Sequence, residues 1–226
     1  MTRPDDGLRR SGALIDSLRL IAIADGEMLK GRDYIAACKA AAQGGATAIQ
    51  VRLKSSHLGT VLSIAEQLVA ELNIPVFVND RADVALLCNA RGVHLGSEDV
   101  PVDVVRRIAA PAGLTVGASV GNAEEAHEAI QGGADYWGIG PIFPTATKSD
   151  AGAAIGPAGF SRLKALAPAG VAVVGIGGIT ADNCSEVIGV GADGVAVISG
   201  IFSQSDIKGA ARAVRRAVDS ALGKRG

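Results

Sequence analysis

The sequence lacks most of the features that mark a specialised class of protein. Aromatic residues make up 3% of its 226 positions. So few aromatics beside 30 glycines argue against an all-β sandwich and for many tight strand–helix turns. The three cysteines, Cys38, Cys88 and Cys184, are an odd number and widely spaced. They suit neither a disulfide framework nor a CxxC metal site. They read instead as small buried apolar side chains in a reducing, cytoplasmic setting. No charge dominates: 22 Lys and Arg stand against 23 Asp and Glu, a formal net charge of −1. That removes any global electrostatic reason to bind nucleic acid or an anionic membrane. No apolar run approaches ~20 residues, so no membrane span is expected. Residues 1–12 are polar and lack the apolar run of a signal peptide. They are expected to form a disordered tail ahead of one domain over residues 13–226.

What the sequence does have is a recurring junction. Gly44-Gly45-Ala46, Ala90-Arg91-Gly92, Gly132-Gly133-Ala134 and Gly191-Ala192-Asp193-Gly194 each follow an alanine-rich or amphipathic stretch and precede a short apolar run. A glycine in that place ends a helix, because it takes the left-handed conformation without a Cβ clash. Pro75, Pro111 and Pro168 mark intervening junctions, where proline stops a helix before the next strand. With Leu18 to Ala24 as the first strand, eight short apolar strands alternate with helices. Continuously apolar strands of this kind are parallel and covered on both faces. Eight such units in about 200 residues give a single-domain (β/α)8 TIM barrel. The competing architecture is a doubly wound open sheet. In a barrel the active site lies where the strands end, so a polar residue just after a strand is a candidate and one just before it is structural.

Gln50, Arg52 and Lys54 alternate with apolar residues at the end of strand 2, which puts them on one face. Two converging cations need an anion, and a phosphate or diphosphate fits the Arg fork and the Lys point charge. Asp80 and Asp99 follow strands 3 and 4. Carboxylates held together without a cation are pushed toward protonation, and Mg2+ resolves this by taking hard oxygen ligands together with substrate phosphates. The plain alternatives are a helix cap for Asp80 and a cap or turn for Asp99. Ser119 follows strand 5 and is left for ligand work, since Asn122 with Glu125 is the better helix cap. Thr145, Thr147 and Lys148 lie in the longest irregular stretch, whose composition suits an anion-binding lid. Gly177-Gly178 after strand 7 and Ser199 after strand 8 occupy the place where barrels often bind a second phosphate. His94 reads as a packed barrel residue. Tyr136 and Trp137 should face opposite sides of strand 6. No nucleophile with a partnering base emerges, so covalent catalysis is not required.

Taken in order, these motifs resemble the thiamine phosphate synthase (thiamine-phosphate pyrophosphorylase) family over roughly residues 18–222. The resemblance rests on Gln50-Val51-Arg52-Leu53-Lys54, Val78-Asn79-Asp80-Arg81, Gly92-Val93-His94-Leu95-Gly96, Glu98-Asp99, the run from Gly140 to Lys148, Gly175-Ile176-Gly177-Gly178-Ile179 and Val197-Ile198-Ser199. It implies a Mg2+-dependent transferase of thiamine biosynthesis. Such an enzyme joins 4-amino-2-methyl-5-hydroxymethylpyrimidine diphosphate to a thiazole phosphate by a dissociative substitution. It implies that Gln50, Arg52, Lys54, Asn79, Ser119 and Lys148 bind the pyrimidine diphosphate, with Arg52, Lys54, Ser119 and Lys148 catalytic. Asp80 and Asp99 would hold Mg2+. Thr145, Thr147, Gly177, Gly178, Ile198 and Ser199 would hold the thiazole phosphate. Partners are then small phosphorylated molecules, and a homo-oligomer is compatible with this. Two positions depart from the family: Ser119-Val120-Gly121 stands where Ser-Thr-His is usual, and Ser97 where Gln is common. The alternatives on the same barrel are a thiazole tautomerase-like isomerase and a non-catalytic protein that binds thiazole or thiamine phosphate.

Overall fold

A computed structural model describes residues 12–145, 147 and 152–224. Eight parallel strands close into a barrel in chain order. They are β1 (Leu20–Asp25), β2 (Ala48–Arg52), β3 (Val76–Asn79), β4 (Gly92–Leu95), β5 (Thr115–Val120), β6 (Tyr136–Ile139), β7 (Ala172–Ile176) and β8 (Gly194–Val197). The helices of the outer ring are α1 (Tyr34–Gln43), α2 (Leu58–Glu71), α3 (Ala82–Leu87), α4 (Val102–Ala112), α5 (Ala123–Gly132), α6 (Gly156–Lys164), α7 (Cys184–Gly189), the short α8 (Ser199–Phe202) and the long α9 (Ile207–Gly223). Residues 12–17 form a helical segment before β1. The expected tail over residues 1–12 lies outside the described residues except at residue 12. The closed order excludes the open sheet.

The period-two alternation of each strand sorts its side chains into two cores. Val51, Val78, Val93, Val116, Trp137 and Val195 face outward into a large layer shared with the helices. Ile21, Ile23, Ala48, Phe77, Tyr136, Val174 and Ala196 fill the barrel interior. Tyr136 and Trp137 therefore take opposite faces, as alternation requires. The three cysteines are free and buried.

The junction motif does different jobs at its two kinds of position. After α5, Gly133 is left-handed, with φ of 70°, as expected of a glycine cap. After α3 the left-handed residue is Asn89, with φ of 54°, and Gly92 already belongs to β4. Gly92 is there for space, since a Cβ would overlap the Phe77 ring. Pro111 lies inside α4 rather than beyond it, and Gly113 ends that helix. At three of these junctions the polar residue that leads into the strand is structural. Thr47 Oγ1 accepts from Leu20 N at 2.8 Å, Asp135 Oδ2 from Val116 N at 2.7 Å and Asp193 Oδ2 from Val173 N at 2.8 Å. Each ties the start of one strand to the approach of the next and satisfies an N–H at the closed end of the barrel.

Candidate active site at the barrel mouth

One cavity of about 510 Å³ opens at the C-terminal ends of the strands. Arg52, Lys54, Asn79, Asp80 and Asp99 line one wall and Ser119 lies beside them. Thr145, Thr147, Gly177, Gly178, Ile198 and Ser199 line the other. The two expected anion regions are thus parts of one chamber. Lys148 lies outside the described residues. Gln50 is buried and does not line the cavity among the described residues. Its Nε2 donates to Asn79 Oδ1 at 2.7 Å and so orients an amide that does.

The basic strand differs from the expectation of two converging buried cations. Arg52 ends β2 pointing inward, directly paired with Asp25 on β1. Its Nη1 forms a buried ion pair with Asp25 Oδ2. Asp25 Oδ1 accepts from Glu27 N and Met28 N at 3.1 and 3.0 Å, so the carboxylate that holds Arg52 is itself fixed. Arg52 Nε is buried and makes no hydrogen bond among the described residues. It is a desolvated donor, which is costly unless a ligand accepts from it. Lys54 lies beyond the strand, is half-exposed and reaches Asp80 Oδ2 at 3.5 Å. Asp25 is absent from the sequence-based candidates because the apolar run of strand 1 ends at Ala24. Alternation from Ile21 and Ile23 is the signal that places it inward.

The acidic side behaves as like charges should. Burial, a hydrogen bond shared with Asp99 and the Asp99 charge push Asp80 up to about 6, against the lowering pull of Lys54. Asp80 is not a helix cap. Arg81 holds the cap position of α3, and Asp80 is left-handed with φ of 65°. That conformation costs a non-glycine residue on the order of 1–2 kcal/mol. It persists because Asp80 N donates to His94 O and Arg81 N to Asn79 O, each at 2.8 Å. Asp99 forms a turn, its Oδ2 accepting from Gly96 N at 2.6 Å. Two carboxylates close enough to share a hydrogen bond suit a hard divalent cation that completes its shell from water and substrate. No group of three or more potential ligands exists among the described residues, so the protein alone offers no closed cage.

The opposite wall depends on glycine. Gly177 and Gly178 have φ of 97° and 63°. A Cβ on Gly177 would lie 2.6 Å from Pro141 Cα, and one on Gly178 would lie 2.7 Å from Pro144 O. The loop after β6 crosses there, with Ile142 N and Phe143 N donating to Ile176 O and Gly177 O at 2.9 and 3.0 Å. The glycines thus serve loop-on-loop contact as well as any approach to a ligand. Thr147 N donates to Thr145 Oγ1 at 3.3 Å within that loop. After β5, Asn122 caps α5 as expected, accepting from Glu125 N at 2.9 Å, while Glu125 Oε2 accepts from Gly121 N at 2.6 Å.

Below the mouth, the His94 ring reaches Tyr136 and Ser119. Its Nδ1 lies 3.0 Å from the Tyr136 hydroxyl and its Nε2 lies 3.1 Å from Ser119 Oγ. His94 lines the cavity as well as packing in the barrel. No local sequence signal marks this set, because each member alone has an ordinary core reading.

Comparison with known proteins agrees with this geometry. The family model described as thiamine monophosphate synthase (TMP-TENI) matches residues 20–201. A thiamine-phosphate synthase of Methanoregula boonei is 45% identical over 90% of this chain and 94% of its own length. One of Moorella thermoacetica is 41% identical over 86% of this chain and 92% of its own. A solved structure, thiamine phosphate pyrophosphorylase from Pyrococcus furiosus, superposes with a TM-score of 0.83 at 41% identity, covering 93% of this chain and all of the other. With the family model spanning most of the barrel and relatives this similar along nearly their full length, the chain belongs to the thiamine monophosphate synthase family.

Proposed function

We propose that this barrel is a transferase of thiamine biosynthesis that joins 4-amino-2-methyl-5-hydroxymethylpyrimidine diphosphate to a thiazole phosphate, giving thiamine phosphate and diphosphate. The observation that carries the reading is the charge arrangement of one chamber. Asp80 and Asp99 are crowded and incompletely neutralised, and beside them lie Lys54 and the buried Nε of Arg52, which has no hydrogen-bond partner among the described residues. A diphosphate accompanied by Mg2+ satisfies all four groups together. Asp80 and Asp99 would hold the Mg2+, which supplies charge neutralisation of the departing diphosphate.

The protein's own groups do the rest by position and charge. Arg52 Nε, Lys54 and Lys148 would face the diphosphate, and the Ser119 hydroxyl would donate to it. These donors stabilise charge that grows on the leaving oxygens as the methylene carbon–oxygen bond breaks and its electron pair leaves with diphosphate. The pyrimidine-methyl cation left behind is captured by the thiazole nitrogen lone pair, forming the new carbon–nitrogen bond. No protein nucleophile is consumed. Asn79, held by Gln50, would orient the pyrimidine. Thr145, Thr147, Gly177, Gly178, Ile198 and Ser199 would hold the thiazole phosphate so that its nitrogen faces the reacting carbon, which is the entropic part of the catalysis. The corner after β5 offers Gly121, Asn122 and Glu125 and no histidine, which supports the synthase over the tautomerase reading. Three free cysteines and small phosphorylated substrates support a cytoplasmic setting. No described helix is long and apolar enough to cross a membrane.

The test is product formation from the two substrates with Mg2+, beside a chelated sample. Thiamine phosphate with Mg2+ and none with chelator is the expected result. No product in either sample from folded protein would overturn the assignment.

A further inference from the structure

We infer that Tyr136 and His94 are positioning residues that lock the Ser119 hydroxyl into the role of a hydrogen-bond donor aimed into the cavity. This rests on the reading above only in naming diphosphate as the anion that Ser119 serves.

The barrel interior fixes the first member of the set. Tyr136 is fully buried, packed edge-on against Phe77 with ring centroids 5.7 Å apart and an interplanar angle of 75°. Its neighbours there are Ile21, Ile23, Ala48 and Val174, whose side chains accept no hydrogen bonds. Room for the ring comes from Gly117, its pairing partner on β5, where a Cβ would overlap the phenol. Room for the His94 imidazole comes from Gly138 on β6, where a Cβ would lie 3.0 Å from Cε1. Two inward glycines therefore make room for these rings, and the two side chains meet with ring centroids 5.4 Å apart.

The protons follow from that placement. Burial pushes the Tyr136 phenol far above its ordinary value, so it keeps its proton throughout the working range. A buried O–H must donate, and among the described residues its hydrogen-bond partner is His94 Nδ1 at 3.0 Å. In the neutral imidazole, a Nδ1 that accepts leaves the ring proton on Nε2. That Nε2–H donates to Ser119 Oγ at 3.1 Å. Ser119 then cannot donate back to the ring. Its own O–H is left to turn toward the cavity that it lines, where an anion is the natural acceptor. The opposite tautomer would reverse every step. Ser119 would donate to Nε2 and present only lone pairs to the cavity, and those repel a diphosphate. The phenol thus selects the sign of the Ser119 contact from one rung away, and the donor is oriented before the ligand arrives.

Two measurements test this without turnover. The chain has three histidines, so ¹⁵N-labelled imidazoles can be resolved by NMR. His94 is expected as the Nε2–H tautomer in the wild type and as a mixture or the Nδ1–H form in Tyr136→Phe. An Nδ1–H tautomer in the wild type overturns the inference. The second is calorimetric binding of inorganic diphosphate with Mg2+. Loss of one hydrogen bond to a charged ligand weakens binding by about tenfold in Ser119→Ala. Tyr136→Phe should approach that loss and add nothing to it in the double variant, since both act through one hydroxyl. His94→Gln, with an amide donor reaching toward the Nε2 place, should bind more tightly than His94→Leu. Additive losses from Ser119→Ala and Tyr136→Phe, or equal losses from His94→Gln and His94→Leu, overturn it. Thermal melts of each variant separate misfolding from mispositioning. If the tautomer and the non-additivity hold while no thiamine phosphate forms, the synthase reading fails and this one stands.

Discussion

The two ends of the barrel treat polar groups in opposite ways. At the closed end, Thr47, Asp135 and Asp193 each sit just before a strand and accept from one fixed backbone N–H. At the open end, Asp80 is held in a left-handed conformation beside another carboxylate, and a buried guanidinium nitrogen has no partner among the described residues. The same residue types, aspartate above all, satisfy the fold at one end and are left incompletely satisfied at the other. Incomplete satisfaction costs stability and is retained where a ligand completes it. The contrast separates aspartates that the fold satisfies from aspartates that it leaves incompletely satisfied, and the second kind are the candidates for function.

The sharpest way to break the contrast is at Asp80. Asp80→Asn removes the like charge and keeps a residue that tolerates left-handed backbone. Product formation should fall by at least about 100-fold, on the scale of losing a metal ligand, while the metal-free melting temperature rises. An unchanged turnover would move the metal elsewhere. Next in size is Asp25→Ala, which leaves Arg52 buried and unpaired. It should destabilise the chain by about 3–5 kcal/mol, or roughly 2–4 °C for each kcal/mol in a chain of this length. Diphosphate binding should also weaken, because Arg52 loses its anchor. Melting curves with and without diphosphate read both effects. At the closed end, Asp193→Ala or Asp135→Ala should cost about 1–2 kcal/mol by melting and leave the KM values of both substrates unchanged, since neither residue reaches the cavity.

The smallest expected effect is in pH. Asp80 titrates near 6 in the folded chain against an ordinary value of 3.8. A raised carboxylate binds its proton more tightly when folded. Its contribution to stability is therefore fully present below about 3.8 and is lost as pH rises through about 6. Metal-free protein should lose melting temperature across that window, and Asp80→Asn should flatten that component. Saturating Mg2+ should offset the loss at the upper end, because the cation takes the place of the proton. A slope identical in the variant would locate the titration in another group.

Much of the fold and part of the site are legible in the amino-acid sequence alone. The glycine junctions carry the barrel, because a helix followed by a short buried parallel strand needs a stop at each repeat. Asp80 and Asp99 are legible because a barrel gathers at its mouth the residues that come just after each strand. Asp25 is not, because an apolar run shows where hydrophobicity stops and not where pairing stops; the strand extends one residue past its last apolar side chain. Gln50 sits one layer deeper than its pattern suggests, since period-two counting gives the face but not the depth. The set of Tyr136, His94 and Ser119 is hidden for a stronger reason. It depends on the alignment of β4, β5 and β6, where His94 pairs with Gly117 and Gly117 with Tyr136, and no local pattern encodes that register.

The buried thiols have a practical consequence. Burial raises Cys38 to about 12, and Cys88 and Cys184 are also raised. At neutral pH the thiolate fraction of Cys38 is on the order of one in 10⁵, so an alkylating reagent must wait for the chain to open. The three thiols sit in α1, just after α3 and in α7, which divides the ring into sectors. The native chain is thus its own unfolding clock. Three equal labelling rates would mean that the barrel opens as one unit, and a fast one would name the sector that loosens first.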